Sequence, residues 1–426
     1  MSTVKPTPRI ASMDQFRGYT VVGMFLVNFF GWYALTHQVF RHNSTHFSYA
    51  DSIMPSFILC AGFSFRLTAL KRFPELGTAR AAWSYIQRSL TLILISLLLD
   101  TPDPKFKTWS QVTPGGISEY LFALGKAGLW EVLAIIGVCQ ILLLPVILRG
   151  TIFRLSAVVL LEIAHIVVTY AFNYNFQLGR ENWFNQFWGA PKQTVFDGGL
   201  FGLLPWSAVM LAGTLVYDLL AALSPKRAWF PLLVCGVLLM GNGYLLSCGT
   251  RLYDRAPGEW DKLVQTAAAK TTEEQKKSGK PPAPDEHAPD PVWPQVERWK
   301  SPGLGWAEPP FMPPPAAEFR AKNFWMMNMR LMSPAFTIFS IGFALGLYAV
   351  FIVACDLSGL QVGVFRTFGQ NPLAAYIAHQ AVKYSVRLFS PKDSPLWWAL
   401  ISFAIFFYLT WFLIRSMEKQ KLYLRL

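Results

Sequence analysis

A short polar stretch between two apolar segments carries residues that suit acid–base chemistry. Residues 35–52 contain His42 and, nine residues later, Asp51, with His37 and His46 nearby. Imidazole is the usual proton-transfer group near neutral pH, and a carboxylate beside it can fix its tautomer. Asp51 also stands at the start of the second apolar segment, where a carboxylate can cap a helix. The sequence leaves both roles of Asp51 open.

A second group of polar residues belongs to the first apolar segment, residues 18–36. Asn28 lies inside this segment, and Asp14 and Arg17 lie at its entrance. A polar side chain that faces lipid is costly, so we expect Asn28 to face the interior of a helical bundle. There it either forms a helix–helix hydrogen bond or positions a reacting carbonyl or amine.

The composition indicates a membrane protein with many spans. The chain of 426 residues is 53% hydrophobic and only 15% charged, whereas soluble domains carry about 25% charged residues. The net charge of +13 comes from basic residues scattered in short loops, which predicts membrane topology and no binding of nucleic acid. The five cysteines have no metal-ligand spacing, so no metal site is predicted.

About ten segments are apolar over the length needed to cross a bilayer. They are residues 18–36, 52–70, 86–100, 129–148, 153–172, 200–221, 229–248, 332–355, 367–387 and 396–415. A short further helix is predicted around Ile117–Leu124, which could be re-entrant or interfacial. The predicted fold class is therefore an all-α polytopic membrane bundle with about ten or eleven transmembrane helices.

The distribution of basic residues predicts the orientation. Short segments assigned to the cytoplasm hold about twofold more Lys and Arg than those assigned to the outside, which places both termini in the cytoplasm and residues 35–52 outside. We divide the chain into N-terminal membrane helices (1–248), a Pro-rich extracytoplasmic loop (249–328) and C-terminal membrane helices (329–426).

The Pro-rich loop cannot bury a core of its own, and we expect it to be partly ordered. Its aromatic–proline pieces are predicted to pack as a lid over the outer face. These pieces surround Trp293, Trp299, Trp306 and Phe311.

Other polar residues in or near the spans receive structural interpretations. Asp197, in the sequence FDGGLFG, is predicted to cap the following helix, although its glycine-rich turn could also direct free N–H groups at an anion. Glu162 and His165 lie on one helix face and are predicted to satisfy each other. Asn371 is a candidate cap, and His379 is either a buried, hydrogen-bonded histidine or a site residue.

The first two segments resemble a known family. The sequence SMDQFRGYTVVGMFLVN, a histidine-bearing loop and SYADSIMPSFILCAGFSF are similar to the opening of the heparan-α-glucosaminide N-acetyltransferase family. Asp14, Arg17, Asn28, His42 and Asp51 fall on positions of that pattern. FDGGLFGLLPW, MNMRLMSPAFTIFSIGFAL and FGQNPLAAYIAH resemble later family segments more weakly.

The resemblance implies a transmembrane acyltransferase of the cell inner membrane. Its co-substrate would be cytosolic acetyl-CoA, and its acceptor an amino sugar of an envelope glycan or glycolipid on the outer side. It also implies a catalytic His42 assisted by Asn28 and Asp51. The resemblance further implies that the residues holding acetyl-CoA are Asp14, Arg17, Asn371 and Tyr376.

Several alternatives remain open at this point. The histidine loop is one residue shorter than the family pattern, so His46 could replace His42 as the base. Transfer could be direct or proceed through an acetyl-histidine. An O-acyltransferase acting on a hydroxyl and a small-molecule transporter are the alternative functions, and assembly as a homodimer is left open.

Overall fold

The computed structural model describes residues 10–99, 106, 108–188, 194–195, 197–269, 284–292 and 306–424. Regular structure in these ranges is helical, and the β-pairing among them consists of the isolated bridges Asp254–Arg320 and His287–Lys322. The helices are α1 (Ala11–Phe30), α2 (Tyr49–Leu76), α3 (Thr78–Leu99), α4 (Pro114–Ala123), α5 (Val132–Leu143), α6 (Thr151–Val168), α7 (Tyr174–Gln177), α8 (Trp183–Trp188), α9 (Gly199–Leu223), α10 (Pro225–Cys248), α11 (Glu259–Ala269), α12 (Pro334–Phe351), α13 (Gly363–Gln370), α14 (Pro372–Arg387) and α15 (Leu396–Lys419).

Seven of the described helices are long and apolar enough to cross a membrane. They are α2, α3, α6 with its continuation to Gln177, α9, α10 with its continuation to Tyr253, α12 with its continuation to Leu357, and α15. The all-α polytopic fold is thus confirmed, but the expected count of about ten spans is not.

Two predicted spans, 18–36 and 367–387, account for part of the difference in count. Both are helical but neither is among the seven. Asp14, Arg17 and Asn28 lower the hydropathy of α1, and the second segment is divided into α13 and α14, of 8 and 16 residues. The short helix predicted at Ile117–Leu124 is present in α4, which continues as a π-helical turn to Gly128 and is bent by 87° against α5.

Helix α1 lies between two hydrophobic cores. Val21, Phe25, Phe29 and Tyr33 recur every fourth residue and therefore share one face, which packs against α14 and α15. The Phe29 ring, for example, stacks on Phe406 with centroids 4.8 Å apart. The N-terminal part of α1, with Met13 and Phe16, joins the main core formed with α2, α9 and α12 instead. This leaves a third, partly polar face of α1 open to an interior cavity.

Close packing of α2 on α9 fixes the position of the second helix. A Cβ atom at Gly62 would overlap the carbonyl group of Met210, and one at Gly213 would overlap that of Leu59. Glycine at both positions lets the two backbones touch. The start of α2, and with it Asp51, is held in place by this contact.

A buried ionic cluster joins α2, α6 and α9 at the end of the bundle away from residues 35–52. Arg66 Nε lies 3.0 Å from one Asp218 oxygen, and Arg154 contacts the other. Arg154 also donates to Thr214 Oγ1 at 2.6 Å, and its side chain is fully buried. Because such a buried pair is costly to break, the cluster cross-links the three helices.

Two structural interpretations from the sequence are wrong. Glu162 and His165 do not pair, because His165 Nε2 lies 3.2 Å from the carbonyl oxygen of Leu331 and neither Glu162 oxygen has a hydrogen-bond partner among the described residues. Asn371 precedes α14 but its side chain makes no cap hydrogen bond. It binds the C-terminal tail instead, donating to Leu422 O at 3.0 Å and accepting from Leu424 N–H at 3.1 Å.

The described part of the Pro-rich loop packs at the end of the bundle that carries residues 35–52. Phe311 donates its backbone N–H to the carbonyl oxygen of Phe47 at 2.8 Å, and the two rings meet edge to face. Trp306 is largely exposed. Trp293 and Trp299, the other expected members of the lid, lie outside the described residues.

Candidate active site

Asp51 joins the start of α2 to His42. One carboxylate oxygen, Oδ2, accepts hydrogen bonds from Ser48 N–H at 3.1 Å and from Ser48 Oγ at 2.8 Å, in the capping box that begins α2. The other, Oδ1, lies 3.0 Å from His42 Nδ1. Asp51 is buried, whereas the His42 side chain is 32% exposed. The two interpretations of Asp51 therefore hold together, since the same carboxylate caps the helix and orients the imidazole.

The electrostatic environment distinguishes His42 from His46. Burial tends to lower the pKa of His42, but the hydrogen bond and negative charge of Asp51 outweigh it, and the pKa is raised above its ordinary value. Burial lowers the pKa of His46. The His46 ring contacts Thr45 Oγ1 at 3.0 Å, and His46 lines the second of the two outer cavities described below but not the inner cavity.

An interior cavity of about 290 Å³ extends from the middle of α1 to His42. Its polar lining comes from five parts of the chain, and its apolar lining mainly from α1 and α2. The polar residues are Thr20, Asn28, His42, Glu131, Asp197, Tyr376, Gln380 and Lys383; the apolar ones are Met24, Val27, Ala50, Ile53, Met54, Phe57, Val132 and Met329. We call this space the inner cavity.

Asp197 lies on the wall of the inner cavity and does not cap α9. Its backbone is left-handed, with φ of 52°, and is followed by Gly198 at 80° and Gly199 at 56°. The cap position belongs to Gly198, without a side-chain hydrogen bond, so the predicted cap is wrong. Asp197 is 4% exposed, and its Oδ1 has no hydrogen-bond partner among the described residues. Burial, reinforced by the nearby carboxylates of Glu131 and Asp51, raises its pKa to about 8.

Two outer cavities also meet at His42. One, of about 530 Å³, is lined by Asn28, Trp32 and the basic residues Arg41, Arg387 and Lys392. The other, of about 460 Å³, lies between the histidine loop and the Pro-rich loop. Its lining includes His46, Glu286, Pro313, Pro314, Pro315, Arg320 and Lys322. His42 thus lies where the inner cavity meets the two other cavities at this end of the bundle.

Asn28 lines both the inner cavity and the first outer cavity. Its backbone carbonyl accepts a hydrogen bond from Arg387. Its side-chain amide makes no hydrogen bond to another described residue. The helix–helix hydrogen bond that was one expectation for the Asn28 side chain is therefore not formed with any described residue. The residue lines the two cavities instead.

The expected donor-binding residues are not all brought together. Tyr376 lines the inner cavity. Arg17 and Asp14 lie together at the opposite end of α1, 3.6 Å apart, where Arg17 donates to Ser64 Oγ at 2.8 Å and to Gly369 O at 3.2 Å. Arg17 is about 17 Å along the helix axis from Asn28. Asn371 is engaged with the C-terminal tail, as described above.

Sequence reasoning missed Gln380 and Lys383, which line the inner cavity beside Tyr376. Positions 376, 380 and 383 share one face of α14, because residues four and seven apart align in a helix. That polar face within an apolar segment was the available signal. Glu131 lines the same cavity and received no site role from the sequence. Among the described residues, no group of three or more His, Cys, Asp or Glu side chains is arranged to hold a metal ion.

Comparison with known proteins decides the family. The family profile described as heparan-alpha-glucosaminide N-acetyltransferase, catalytic, matches residues 9–242, more than half of the chain. The chain belongs to this family. The match contains Asn28, His42, Asp51 and Asp197, and membership implies a transferase with acetyltransferase activity, carried by membrane helices. A search of the curated proteins found no match.

The matched region ends within α10. The Pro-rich loop and helices α12 to α15, which supply Tyr376, Gln380 and Lys383, therefore lie beyond it. The family match gives no support to the homodimer that the sequence analysis left open.

Proposed function

We propose that this protein transfers an acetyl group from cytosolic acetyl-CoA to the amine of an amino sugar in an envelope glycan or glycolipid. The observation that carries the proposal is the position of His42. It is oriented by buried Asp51 and lines the inner cavity together with both outer cavities. The imidazole of His42 can thus reach a donor in the inner cavity and an acceptor in either outer cavity.

The size of the inner cavity sets which part of the donor it can hold. At about 290 Å³ it is at the lower limit of small-molecule pockets, which run from about 300 to 1,000 Å³. It fits the acetyl thioester and the end of the pantetheine arm, with apolar contacts from Met24, Ile53 and Met54. We assign Tyr376 to the wall of this site.

The nucleotide end of the donor would then lie toward the other end of α1. Arg17 is proposed to contact its phosphate groups there, since guanidinium pairs well with phosphate oxygens, with Asp14 holding the side chain of Arg17 in place. Asn371, whose amide is occupied by the C-terminal tail, is proposed to shape this end of the site without contacting the donor. This arrangement requires both termini to be cytoplasmic and the inner membrane to be the location.

In the chemical step, His42 accepts the proton of the acceptor amine as the amine attacks the acetyl carbonyl. Nδ1 is bound to Asp51, so Nε2 is the basic atom. Asp51 stabilises the imidazolium that results, as carboxylates do beside catalytic histidines. The amide of Asn28 donates a hydrogen bond to the oxygen that gains negative charge, a contact whose loss costs about 2.7–4 kcal/mol in comparable sites.

The test is release of CoA and formation of acetylated product by the purified protein in detergent, with acetyl-CoA and a panel of amino sugars. We expect turnover in the wild type, its abolition in His42→Ala, and retention of most activity in His46→Ala, the matched control from the same loop. No acetyl transfer to any amino sugar, together with no saturable acetyl-CoA binding, would overturn the proposal.

A burst of CoA release without acceptor, equal to the enzyme concentration and lost in His42→Ala, would indicate an acetyl-histidine intermediate. Release that depends strictly on acceptor would indicate direct transfer.

A further inference from the structure

The inner cavity is lined by an acidic residue, Asp197, that has no role in the chemical step proposed above. Asp197 is buried, lines the same cavity as His42 and Asn28, and leaves Oδ1 without a hydrogen-bond partner among the described residues. A buried, unsatisfied carboxyl oxygen costs stability unless it has a ligand to meet. The orientation of this carboxyl group in the wall of the cavity is therefore a feature to explain.

The turn that carries Asp197 is built to hold that direction. Its carbonyl oxygen accepts the Trp206 indole N–H at 3.0 Å, and Gly198 donates its N–H to Arg330 O at 2.9 Å. Gln177 donates to Gly198 O at 2.9 Å. A Cβ at Gly198 would collide with Gly202 and Met332, and its φ of 80° also favours glycine. Several elements thus fix a left-handed backbone that an aspartate adopts only at a cost.

We propose that Asp197 is the general acid of the acetyl transfer, giving its carboxyl proton to the sulfur of the departing CoA while His42 takes the proton of the amine. This inference rests on the proposed function. The charged groups that face Asp197 are His42, Glu131, Asp51 and Arg330. Burial, reinforced by the two neighbouring carboxylates, outweighs the opposing charges of His42 and Arg330 and favours a neutral carboxyl group, which can donate a proton.

The step balances without an outside reactant. The carbon–nitrogen bond forms and the carbon–sulfur bond breaks, so that thioester and amine become amide and thiol. The amine proton moves to His42 Nε2, and the carboxyl proton of Asp197 moves to sulfur. The imidazolium and the carboxylate that remain are close enough for their charges to interact. Return of one proton from His42 to Asp197 restores both groups.

The decisive test varies the leaving group. A thiolate of low basicity departs without a proton, so the acetyl thioester of 4-nitrothiophenol needs no general acid, whereas acetyl-CoA does. In Asp197→Asn we expect a loss of about 100-fold in kcat with acetyl-CoA, the size of a typical general-acid contribution, and less than about threefold with the aryl thioester. Asn suits this test because it tolerates left-handed backbone.

Gln380→Met is the matched control, since Gln380 lines the same cavity, carries no charge beside Asp197 and has no part in the proton transfer. Its effect should be equal with the two donors. An equal loss with both donors in Asp197→Asn, with acetyl-CoA binding and thermal unfolding unchanged, would overturn the role of Asp197.

A measurement on the wild type keeps the inference testable if the variant does not fold. With acetyl-CoA, kcat/KM should fall as the pH rises above about 8, where Asp197 loses its proton. With the aryl thioester this alkaline limb should be absent. The same limb with both donors would contradict the proposal, whereas a wild type inactive with every donor and acceptor would overturn the proposed function itself.

Discussion

Replacement of Asp51 by Asn tests how strongly the transfer depends on the charge beside His42. The substitution keeps the shape of the side chain, and with its amide oxygen toward His42 Nδ1–H it preserves the tautomer of the imidazole while its –NH2 group faces Ser48. It removes the negative charge 3.0 Å from His42 Nδ1. A hydrogen bond to a charged group contributes about 1.5–3 kcal/mol. Because about 1.4 kcal/mol corresponds to a factor of ten, the expected loss with an amine acceptor is about 10- to 100-fold in kcat.

The same variant separates an amine from a hydroxyl acceptor. An amine is already a good nucleophile, whereas a hydroxyl needs full base assistance, which is worth about 10²–10⁴-fold. A loss near or above the upper value would favour the O-acyltransferase alternative. The assay is steady-state release of CoA in detergent with amino sugars and their hydroxyl analogues as acceptors.

The pH profile gives an independent reading of the same variant. The base form of His42 exists only above its pKa, which Asp51 raises. The acidic limb of kcat/KM should therefore lie above the ordinary histidine value in the wild type and move to lower pH in Asp51→Asn. Ser48→Ala is the control, because it removes a helix cap worth about 1 kcal/mol of stability and leaves the imidazole contact. Full activity and an unmoved limb in Asp51→Asn would refute the reasoning.

Four further substitutions test the remaining framework. Asp218→Asn leaves two buried arginines without their carboxylate and should lower the free energy of unfolding by about 3–5 kcal/mol, seen as a lower Tm in detergent; an unchanged Tm would contradict the cross-link. Gly62→Ala forces α2 and α9 apart and should lower Tm, whereas Gly241→Ala, which meets open space, should leave it unchanged or slightly raised. Arg17→Lys should raise KM for acetyl-CoA with little change in kcat, and an unchanged KM would remove Arg17 from the donor site.

The sequence was most informative for site residues that lie close together along the chain, such as His42 and Asp51. The carboxylate that follows His42 by nine residues contacts it, because the intervening loop is short and the helix start fixes Asp51. The polar face of α1 was recognisable from Asn28. The sequence did not predict that α1 falls outside the seven candidate spans. Helix α1 is packed between two cores, and its polar residues lower its mean hydropathy.

Features that depend on partners far along the chain could not be predicted from the sequence. Asn371 binds a tail about fifty residues further along, and His165 bonds to a carbonyl more than 150 residues away. No periodicity reports such contacts. Asp197 was interpreted as a cap because aspartate before a helix usually is one. The left-handed turn that places it in the cavity wall depends on Trp206, one helical stretch further on in α9, and on the carbonyl oxygen of Arg330, which is more than 130 residues away.

The wall between His46 and Pro313–Pro315 has a consequence for how such a protein can diverge. This wall closes one outer cavity over His42, yet its Pro-rich half lies beyond the region shared with the family. His42 and Asp51 therefore lie inside the matched region, whereas the Pro-rich residues that cover this opening lie outside it. Natural selection can lengthen, shorten or exchange the covering segment and so admit a different acceptor, while His42 and Asp51 beneath it stay unchanged. A graft of this segment between relatives is the corresponding route to redesign.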